Sequence, residues 1–301
     1  INDHHSQLEP FAGTELRLDG VPTRVELGGF ARQAAVFRAL EATTPHLLKL
    51  HAGDALTGSL YYTFFKGEAD ARLMDTVCFD AFIPGNHEFD DGDERLRDFL
   101  DALGRGPCPP PVLSANVVPA AGSPLAPAGR APYLLPSVVR RIGGVDVGLV
   151  GLTVAGKTQA SSRPRADTRF LPEAAAAQAA IDALKARGVR HIVLMTHIGY
   201  DADRALAAQL SDVDAIIGGD SHTLLGNFRT LGVPASGPYP TVATNRDGDP
   251  VCIGQAWEYS KAVGLMQVRF DGQGRVRSCG GQAALVIGEP FARRDAAGRW
   301  Q

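Results

Sequence analysis

Four strongly apolar segments of the chain each end in residues that bind metal ions. The segments are HLLKLHAGD (46–54), DAFIPGNHE (80–88), HIVLMTH (191–197) and DAIIGGDSH (214–222). Short apolar runs that end at Gly and polar residues are typical of buried strands. In an open α/β sheet, ligands bind at the carboxyl ends of the strands. We therefore expect these four ends to converge on one site, together with the Asp3-His4-His5 segment that opens the chain.

Between these strands the pattern predicts helices. They are expected near residues 30–42, 68–77, 93–103, 173–187 and 201–210, with further strands at PVLSAN (111–116) and VDVGLVGL (145–152). The Pro/Gly/Ala-rich stretch 117–136 is predicted to be loop. After residue 222 the chain becomes turn-rich, with short strands such as AVGLMQVRF (262–270). This alternation indicates an α/β fold that becomes richer in strands toward its end.

Composition excludes some classes of function. A chain of 301 residues that is 45% hydrophobic can bury a substantial core, in one large domain or two small ones. Its formal net charge of -3 provides no electrostatic attraction for nucleic acid, so we expect no nucleic-acid partner. We also expect no membrane span, because no apolar run reaches the ~20 residues that a spanning helix requires.

The candidate metal ligands combine imidazoles, carboxylates and one amide, without a thiolate. They are Asp3, His5, Asp54, Asn86, His197, Asp220 and His222. Such mixed oxygen and imidazole sets suit catalytic Zn, Mn, Fe or Co. Seven ligands exceed the needs of one tetrahedral ion, but they fit two ions about 3.5–4 Å apart that share a carboxylate. Because such a centre activates water and clamps a phosphoryl group, these residues predict metal-assisted phosphoester hydrolysis.

These motifs resemble the signature of calcineurin-like metallophosphoesterases. Five elements stand in that family's order: Asp3-x-His5, Gly53-Asp54, Gly85-Asn86-His87-Glu88, His197 and Gly219-Asp220-Ser221-His222. The segments INDHHSQLEP, LHAGDALTGSLYYTFFKGEAD, GNHEFD, LSANV and GDSHTLLGN further resemble the 5'-nucleotidase branch, and within it the periplasmic nucleotidases that degrade NAD. The resemblance extends from residue 1 to about residue 270. It implies a sandwich of two mixed β-sheets flanked by helices.

The resemblance also assigns roles to these residues. One divalent ion would be held by Asp3, His5, Asp54 and His222, and the other by Asp54, Asn86, His197 and Asp220, with Asp54 bridging. The ions would be Mn, Zn or Co, and a hydroxide that bridges them would attack a nucleotide phosphate. His87 matches the catalytic histidine, and Asp90 matches the carboxylate that orients it. A neutral imidazole held by a carboxylate is a competent proton donor or acceptor near pH 7.

Taken one at a time, several of these motifs are also typical of ordinary structural elements. Asp3-x-His5 alone is more typical of a turn or a cap, Asn86 is also a good helix N-cap, and His197 could be a buried structural histidine. Their common order favours the site. Four other histidines lie outside the motifs and are predicted to be structural: His4, His46, His51 and His191. Glu88 is expected to support the site through hydrogen bonds rather than to bind metal.

One residue departs from the family pattern. The first position of the last motif is usually histidine in that family, and here it is Asp220. A carboxylate also binds metal ions but adds negative charge and is a harder ligand. We therefore expect a shift in preference toward a hard ion such as Mn²⁺.

Residues 1–285 are predicted to form the dimetal catalytic domain. Residues 286–301 would begin a linker toward a C-terminal nucleotide-binding domain, which the family has and these 301 residues lack. Most of the strand that delivers Asp3, and any signal peptide, would also lie outside them. The resemblance implies a small-molecule nucleotide as substrate, that second domain as partner, and a periplasmic or extracellular location.

The cysteines and the reaction leave alternatives open. Cys252 and Cys279 could pair, as cysteines of secreted chains often do, or all four cysteines could be buried thiols. The leading hypothesis is a 5'-nucleotidase, with the pyrophosphate of NAD as an additional candidate target. The alternatives are a sulfate- or thiosulfate-ester hydrolase of the same fold and a catalytically silent metal-binding domain. The presence of His87 and Asp90 argues against the silent domain, since metal binding alone does not require that pair.

Overall fold

The apolar runs form strands of two sheets that pack face to face. The computed structural model describes residues 1–301, with seven α-helices and seventeen strands. The helices are α1 (Phe30–Thr43), α2 (Leu60–Phe65), α3 (Glu68–Met74), α4 (Gly92–Gly104), α5 (Ala155–Ser161), α6 (Glu173–Ala186) and α7 (Tyr200–Ala207). The strands are β1 (Phe11–Leu18), β2 (Val21–Leu27), β3 (Leu50–His51), β4 (Ala81–Phe82), β5 (Val112–Leu113), β6 (Val117–Val118), β7 (Leu134–Leu135), β8 (Ser137–Ile142), β9 (Val145–Thr153), β10 (Arg169–Phe170), β11 (His191–His197), β12 (Ala215–Ile217), β13 (Thr241–Thr244), β14 (Pro250–Gly254), β15 (Ala262–Phe270), β16 (Val276–Leu285) and β17 (Ile287–Arg293).

The two main sheets have parallel strands at their centres. The six-stranded sheet has the order β13-β14-β12-β11-β9-β8, in which β14, β12, β11 and β9 are parallel and both edge strands are antiparallel. The four-stranded sheet has the order β3-β4-β5-β7, and all its pairs are parallel. Parallel strands direct their carboxyl ends to one edge, which is how distant ligand motifs come to share a site.

Apolar side chains fill the space between the two sheets. Leu50, Ile83 and Leu113 from the four-stranded side pack in one cluster with Leu149 and Met195 from the six-stranded side. Helices cover the outer faces: α1, α3 and α4 lie on the four-stranded sheet, and α6 and α7 lie on the six-stranded sheet. The predicted α/β sandwich flanked by helices is therefore confirmed. Only the six-stranded sheet is mixed, however, because the four-stranded sheet is parallel throughout.

Three smaller antiparallel sheets complete the chain. β1 and β2 form a hairpin whose turn is Asp19-Gly20, β17 pairs with the other side of β2, and β15 pairs with β16. β6 and β10 form a two-residue ladder. The predicted boundary at residue 285 thus falls between two strands, and residues 287–293 are a strand on β2. The division of the chain into domains stays a prediction.

All four cysteines are paired. Disulfides join Cys78 to Cys108 and Cys252 to Cys279. The second pair ties β14 to β16 and is the pairing that the sequence allowed, and it excludes the alternative of four free thiols. None of the seven helices combines the length and the apolar character needed to cross a lipid bilayer.

Candidate metal centre

The predicted strand ends converge at one edge of the sandwich. β3 and β4 lead into the turns that carry Asp54 and Asn86, and β12 leads into the turn of Asp220. His197 is the last residue of β11. The structure brings His, Asp or Glu side chains together in three overlapping groups, each with its ligand atoms within 4.8 Å of one another: Asp3, His5 and His222; His5, Asp54 and His87; and Asp3, Asp54 and His197.

Three imidazoles direct their Nε2 atoms at the buried carboxylates. His197 Nε2 lies 2.9 Å from Asp54 Oδ2 and 3.8 Å from Asp3 Oδ1. His222 Nε2 lies 3.2 Å from Asp3 Oδ1, and His5 Nε2 lies 3.7 Å from the same oxygen. The side chains of Asp3 and Asp54 are buried, so their charge faces the imidazoles rather than water.

Asp220 and Asn86 lie at the side of this cluster. Asp220 Oδ1 is 3.9 Å from His197 Nε2, and its side chain is partly exposed. The amide oxygen of Asn86 is buried and accepts no hydrogen bond, although buried polar atoms are nearly always paired. All seven predicted ligands are therefore at or beside the cluster.

Protein acceptors fix the tautomers of the three imidazoles. Nδ1 of His197 donates to the carbonyl of Ala52 at 2.7 Å, and Nδ1 of His222 donates to Glu258 at 2.7 Å. Nδ1 of His5 donates to the carbonyl of Leu56 at 3.3 Å. With Nδ1 occupied, each neutral ring presents an unprotonated Nε2 to the centre, as metal-ligating histidines do.

This donor set fits divalent cations. His5 Nε2 and His222 Nε2 are 2.9 Å apart. Two unprotonated nitrogens at that distance repel each other unless a proton or a metal ion lies between them or beside them. The buried carboxylates of Asp3 and Asp54 and the partly exposed carboxylate of Asp220 add negative charge to the same cluster. Oxygen and imidazole donors of this kind suit catalytic divalent ions, so the residues present could hold such ions.

Charge in the cluster shifts the pKa of its members strongly. Burial alone would lower the pKa of His197, but the carboxylates of Asp54 and Asp3 raise it to about 10. Burial likewise opposes the ionisation of Asp3, but the surrounding His197, His222 and His5 hold the pKa of that carboxyl far below its usual range. The geometry thus stabilises positive charge among ionised carboxylates.

The backbone at the ligands is held in an unusual conformation. Five of the seven predicted ligands have a positive φ: Asp3 (49°), His5 (51°), Asp54 (52°), Asp220 (79°) and His222 (50°). Residues other than glycine adopt this left-handed region rarely, and Asp, Asn and His do so most readily. Such strain concentrates at functional sites, where surrounding structure imposes it.

Glycines precede three of the ligands because the site leaves no room for a side chain. A Cβ at Gly85 would lie 2.2 Å from Asp54 Oδ1 and 2.6 Å from His197 Nε2. A Cβ at Gly219 would lie 2.6 Å from His197 Nδ1. The repeated Gly-Asp and Gly-Asn dipeptides of the sequence therefore reflect close packing of backbone around His197.

His87 and Asp90 stand at the open side of the cluster. His87 Nδ1 lies 2.6 Å from Asp90 Oδ2, and its ring is 37% exposed. The backbone N–H of His87 donates to Asp54 Oδ1 at 2.9 Å, which ties the pair to the centre. The hydrogen bond that His87 donates to Asp90 raises the pKa of His87 above its ordinary value. Ser162 donates to the other oxygen of Asp90 at 2.8 Å.

Glu88 connects the turn that carries Asp54 to the turn that carries Asn86. Its carboxylate accepts the backbone N–H groups of Asp54, Ala55, Leu56 and Gly85, at 2.5–3.1 Å. This is the hydrogen-bonding role expected from the sequence. Burial and the nearby charge of Asp54 raise the pKa of Glu88 to about 7.

Two of the histidines that lie outside the motifs form a buried network beside the site. His4 Nδ1 is 2.8 Å from His51 Nε2, and His4 Nε2 is 3.0 Å from Asp70 Oδ1. The backbone N–H of Gly53 donates to His51 Nδ1 at 3.2 Å. The network connects the turns of Asp3 and Asp54 to α3, which agrees with the structural role predicted for these histidines.

Two charged residues at the site carry no sequence motif and were not predicted. Glu258 holds His222, as described above, and is held in turn by Lys261 at 2.7 Å. Lys157, in the first turn of α5, pairs with Asp220 at 2.5 Å between Nζ and Oδ1. Glu258 follows the turn-rich segment after β14, and α5 is a short helix without a capping signal, so neither element was expected.

Comparison with known proteins agrees with this geometry. A family model described as calcineurin-like phosphoesterase matches residues 1–224. The chain belongs to that family. Among curated relatives, it is 40% identical to a probable 5'-nucleotidase of Treponema pallidum, over 95% of this chain and 47% of that protein. It is 41% identical to the NAD 5'-nucleotidase of Haemophilus influenzae, over 91% of this chain and 44% of that protein.

A solved structure shares the whole fold. The NAD nucleotidase of Haemophilus influenzae superposes with a TM-score of 0.91 at 37% identity, over 100% of this chain and 58% of that chain. The resemblance to the 5'-nucleotidase branch predicted from the sequence is thus confirmed. The chain spans about half the length of the curated relatives that it matches.

Proposed function

We propose that the protein hydrolyses phosphoester bonds of nucleotides with two divalent metal ions, as a 5'-nucleotidase. The observation that carries the proposal is one cluster in which three Nε2 atoms and buried carboxylates meet, with an imidazole–carboxylate pair at its open side. A site that only stored metal would have no need of the pair. When bound, two such ions lower the pKa of water and neutralise the charge on phosphoryl oxygens.

The residues would divide between two ions, and Asp54 would contribute to both. We assign Asp3, His5, Asp54 and His222 to one ion, and Asp54, Asn86, His197 and Asp220 to the other. The 2.9 Å between His5 Nε2 and His222 Nε2 supports the first set. The buried, unpaired amide oxygen of Asn86 and the nearness of His197 to Asp54 support the second. The ions would be Mn²⁺, Zn²⁺ or Co²⁺, and Asp220 favours Mn²⁺.

His87 would donate a proton to the leaving group or stabilise the charge that develops on it. Its Nδ1 is occupied by Asp90, so Nε2 is the atom available to the substrate. The raised pKa keeps a larger fraction of the ring protonated at neutral pH, which suits a group that gives a proton to a departing alkoxide. Asp90 would act through His87 by fixing its orientation.

The substrate class comes from the relatives. Their names describe 5'-nucleotidases and a NAD nucleotidase, so we propose a small-molecule nucleotide, with NAD as a second substrate. A further C-terminal domain that binds the nucleotide would account for the greater length of those relatives, and residues 286–301 would lead toward it. We also propose a periplasmic or extracellular location, which the two disulfides support, since such bonds persist in oxidising compartments.

Phosphate release tests the proposal directly. The full-length protein would be stripped of metal, re-supplied with Mn²⁺, Zn²⁺ or Co²⁺, and incubated with AMP or with NAD. We expect metal-dependent phosphate release from AMP and consumption of NAD. Hydrolysis of a sulfate or thiosulfate ester in place of both nucleotides would instead identify a sulfur-ester hydrolase. Tight metal binding without hydrolysis of any of these esters would identify a silent metal-binding domain.

A further inference from the structure

Lys157 is the one lysine or arginine whose side chain forms an ion pair with a predicted metal ligand. Its Nζ lies 2.5 Å from Asp220 Oδ1, and the other basic side chains near the cluster pair elsewhere, as Lys261 does with Glu258. The Lys157 side chain is 43% exposed, whereas that of Asp220 is 14% exposed. The ammonium therefore stands at the rim of the site, between the buried carboxylates and solvent.

The helix that carries Lys157 is fixed at both ends. At its start, the backbone N–H of Ala155 donates to Glu173 at 2.8 Å. Just beyond its end, Ser162 donates to Asp90 at 2.8 Å and to the carbonyl of Asn86 at 2.9 Å. α5 thus runs along the open side of the cluster, from Asp220 to the His87–Asp90 pair. A lysine on such a braced helix loses less conformational freedom when it binds an anion.

The balance of charges at the site indicates a role for the Lys157 ammonium group. Two divalent ions among the carboxylates of Asp3, Asp54 and Asp220 would leave a single net positive charge before a bridging hydroxide is counted. Lys157 raises this to two, which matches the dianion of a phosphate monoester at neutral pH. With histidine at position 220, the ions alone would provide that balance, so Lys157 compensates for the additional carboxylate.

We propose that Lys157 is a phosphate-binding residue of the substrate site, held in place by Asp220 and offsetting its charge. The inference rests on the proposed function, because it takes a phosphate as the ligand of the loaded site. Asp220 has two oxygens, so one can bind metal while the other holds Lys157. The ammonium then contributes a charge-assisted hydrogen bond to a non-bridging oxygen of the phosphate.

The test measures the binding of inorganic phosphate and the binding of Mn²⁺ separately. Phosphate is titrated calorimetrically into the Mn²⁺-loaded, full-length protein, and Mn²⁺ is titrated into the metal-free protein. Lys157→Met should weaken phosphate binding by about tenfold or more, the effect of losing one charge-assisted hydrogen bond. Its Mn²⁺ affinity should be unchanged or tighter, because removing a neighbouring positive charge does not weaken the binding of a cation.

Three variants sharpen this result. Lys157→Arg retains the charge and should bind phosphate nearly as well as the unmodified protein. Retained Mn²⁺ binding by Lys157→Met shows that the methionine variant is folded. Asp220→His combined with Lys157→Met should recover much of the lost phosphate affinity, since the charge balance is restored. Lys185→Met is the matched control. Lys185 lies in the last turn of α6 and forms a similar ion pair with Asp212, outside the cluster. This substitution should change neither affinity.

Two outcomes would overturn the inference. Phosphate affinity that does not change in Lys157→Met would remove Lys157 from the substrate site. A parallel loss of Mn²⁺ affinity would mean that Lys157 only positions Asp220. Neither result depends on turnover. The protein could therefore bind phosphate through Lys157 without hydrolysing nucleotides, or hydrolyse nucleotides without using Lys157, and the two cases are distinguishable. In an active enzyme, Lys157→Met should raise KM for AMP more than it lowers kcat.

Discussion

Asp90 Oδ2 lies 2.6 Å from Nδ1 of His87, and the backbone N–H of His87 donates to Asp54 at 2.9 Å. These two hydrogen bonds connect the imidazole at the open side of the site to the carboxylate at its centre. In the proposed assignment neither residue of the pair binds metal, so a loss of the pair can be distinguished from a loss of metal.

His87→Ala should lower turnover by ~10²–10⁴ while the metal content stays unchanged. The reason is that the ring would handle the leaving-group proton, whereas the proposed assignment gives the metal ions to other side chains. Steady-state hydrolysis of AMP and elemental analysis of the purified variant measure the two effects. Unchanged turnover would remove His87 from the mechanism. His46→Ala is a suitable control, since His46 lies on a turn outside the site.

Glu258→Gln should weaken metal binding by about 10–100-fold, because Glu258 holds the Nδ1 atom of His222 and so orients its Nε2. Calorimetric titration of the metal-free protein with Mn²⁺ measures the loss. Lys261→Met is the matched control, as it removes the other ion pair of Glu258 but leaves the contact with His222 intact. Equal losses in both variants would show that the ion pair with Lys261, rather than the contact with His222, sets the affinity.

Asp220→His should shift the relative affinity from Mn²⁺ toward Zn²⁺, because imidazole is a softer ligand than carboxylate. Competition between the two ions for the metal-free protein measures the ratio. Asp201→Asn provides a control, since Asp201 is a highly exposed carboxylate that lines the same surface cavity as Asp220 and pairs with Arg204. A variant that still prefers Mn²⁺ to the same degree would show that Asp220 does not set the metal preference.

The stability of the protein should decline with rising pH partly because of Asp203. This buried carboxyl accepts a hydrogen bond from Thr196 through one oxygen, while the other oxygen has no partner. Burial raises its pKa to about 8, above the ~3.9 of an unfolded chain. Its contribution is therefore complete below about pH 4 and is lost as the pH rises to about 8.

Asp203→Asn should make this decline shallower, because the amide does not titrate. Over that pH range the difference in slope is expected to reach about 1.4 kcal/mol per pH unit at most. Thermal melts of both proteins between pH 5 and pH 8 measure it. Parallel melting curves across that range would show that Asp203 is already ionised in the folded protein.

Much of the fold could be predicted because buried parallel strands leave a clear signal. HIVLMTH and DAIIGGDSH became β11 and β12, and the helix expected over 173–187 is α6. The β1–β2 hairpin was missed although Asp19-Gly20 between alternating residues is a recognisable turn signal. α5 was missed because it is a short helix with no side-chain cap to mark its start.

The site also contains residues that a local sequence pattern predicts and residues that only tertiary contacts identify. Five of the seven predicted ligands lie at or shortly after the end of a strand: Asp54, Asn86, His197, Asp220 and His222. Asp3 and His5 precede the first strand, and only their order in the motif series indicated that they belong with the others. Lys157 and Glu258 reach the site through contacts that span 63 residues to Asp220 and 36 residues to His222. A single lysine or glutamate without a motif carries no sequence signal for such a contact, so only the folded chain identifies them.

The left-handed backbone at the ligands has a consequence for how this site can change over evolution. Asp, Asn and His, which all bind divalent metals, adopt a positive φ more readily than other residues with side chains, and β-branched residues adopt it least. Five ligand positions therefore accept exchange among those three residues without rebuilding the turn. An exchange such as histidine for aspartate at position 220 can therefore alter the preference for a metal ion without moving the ligand position.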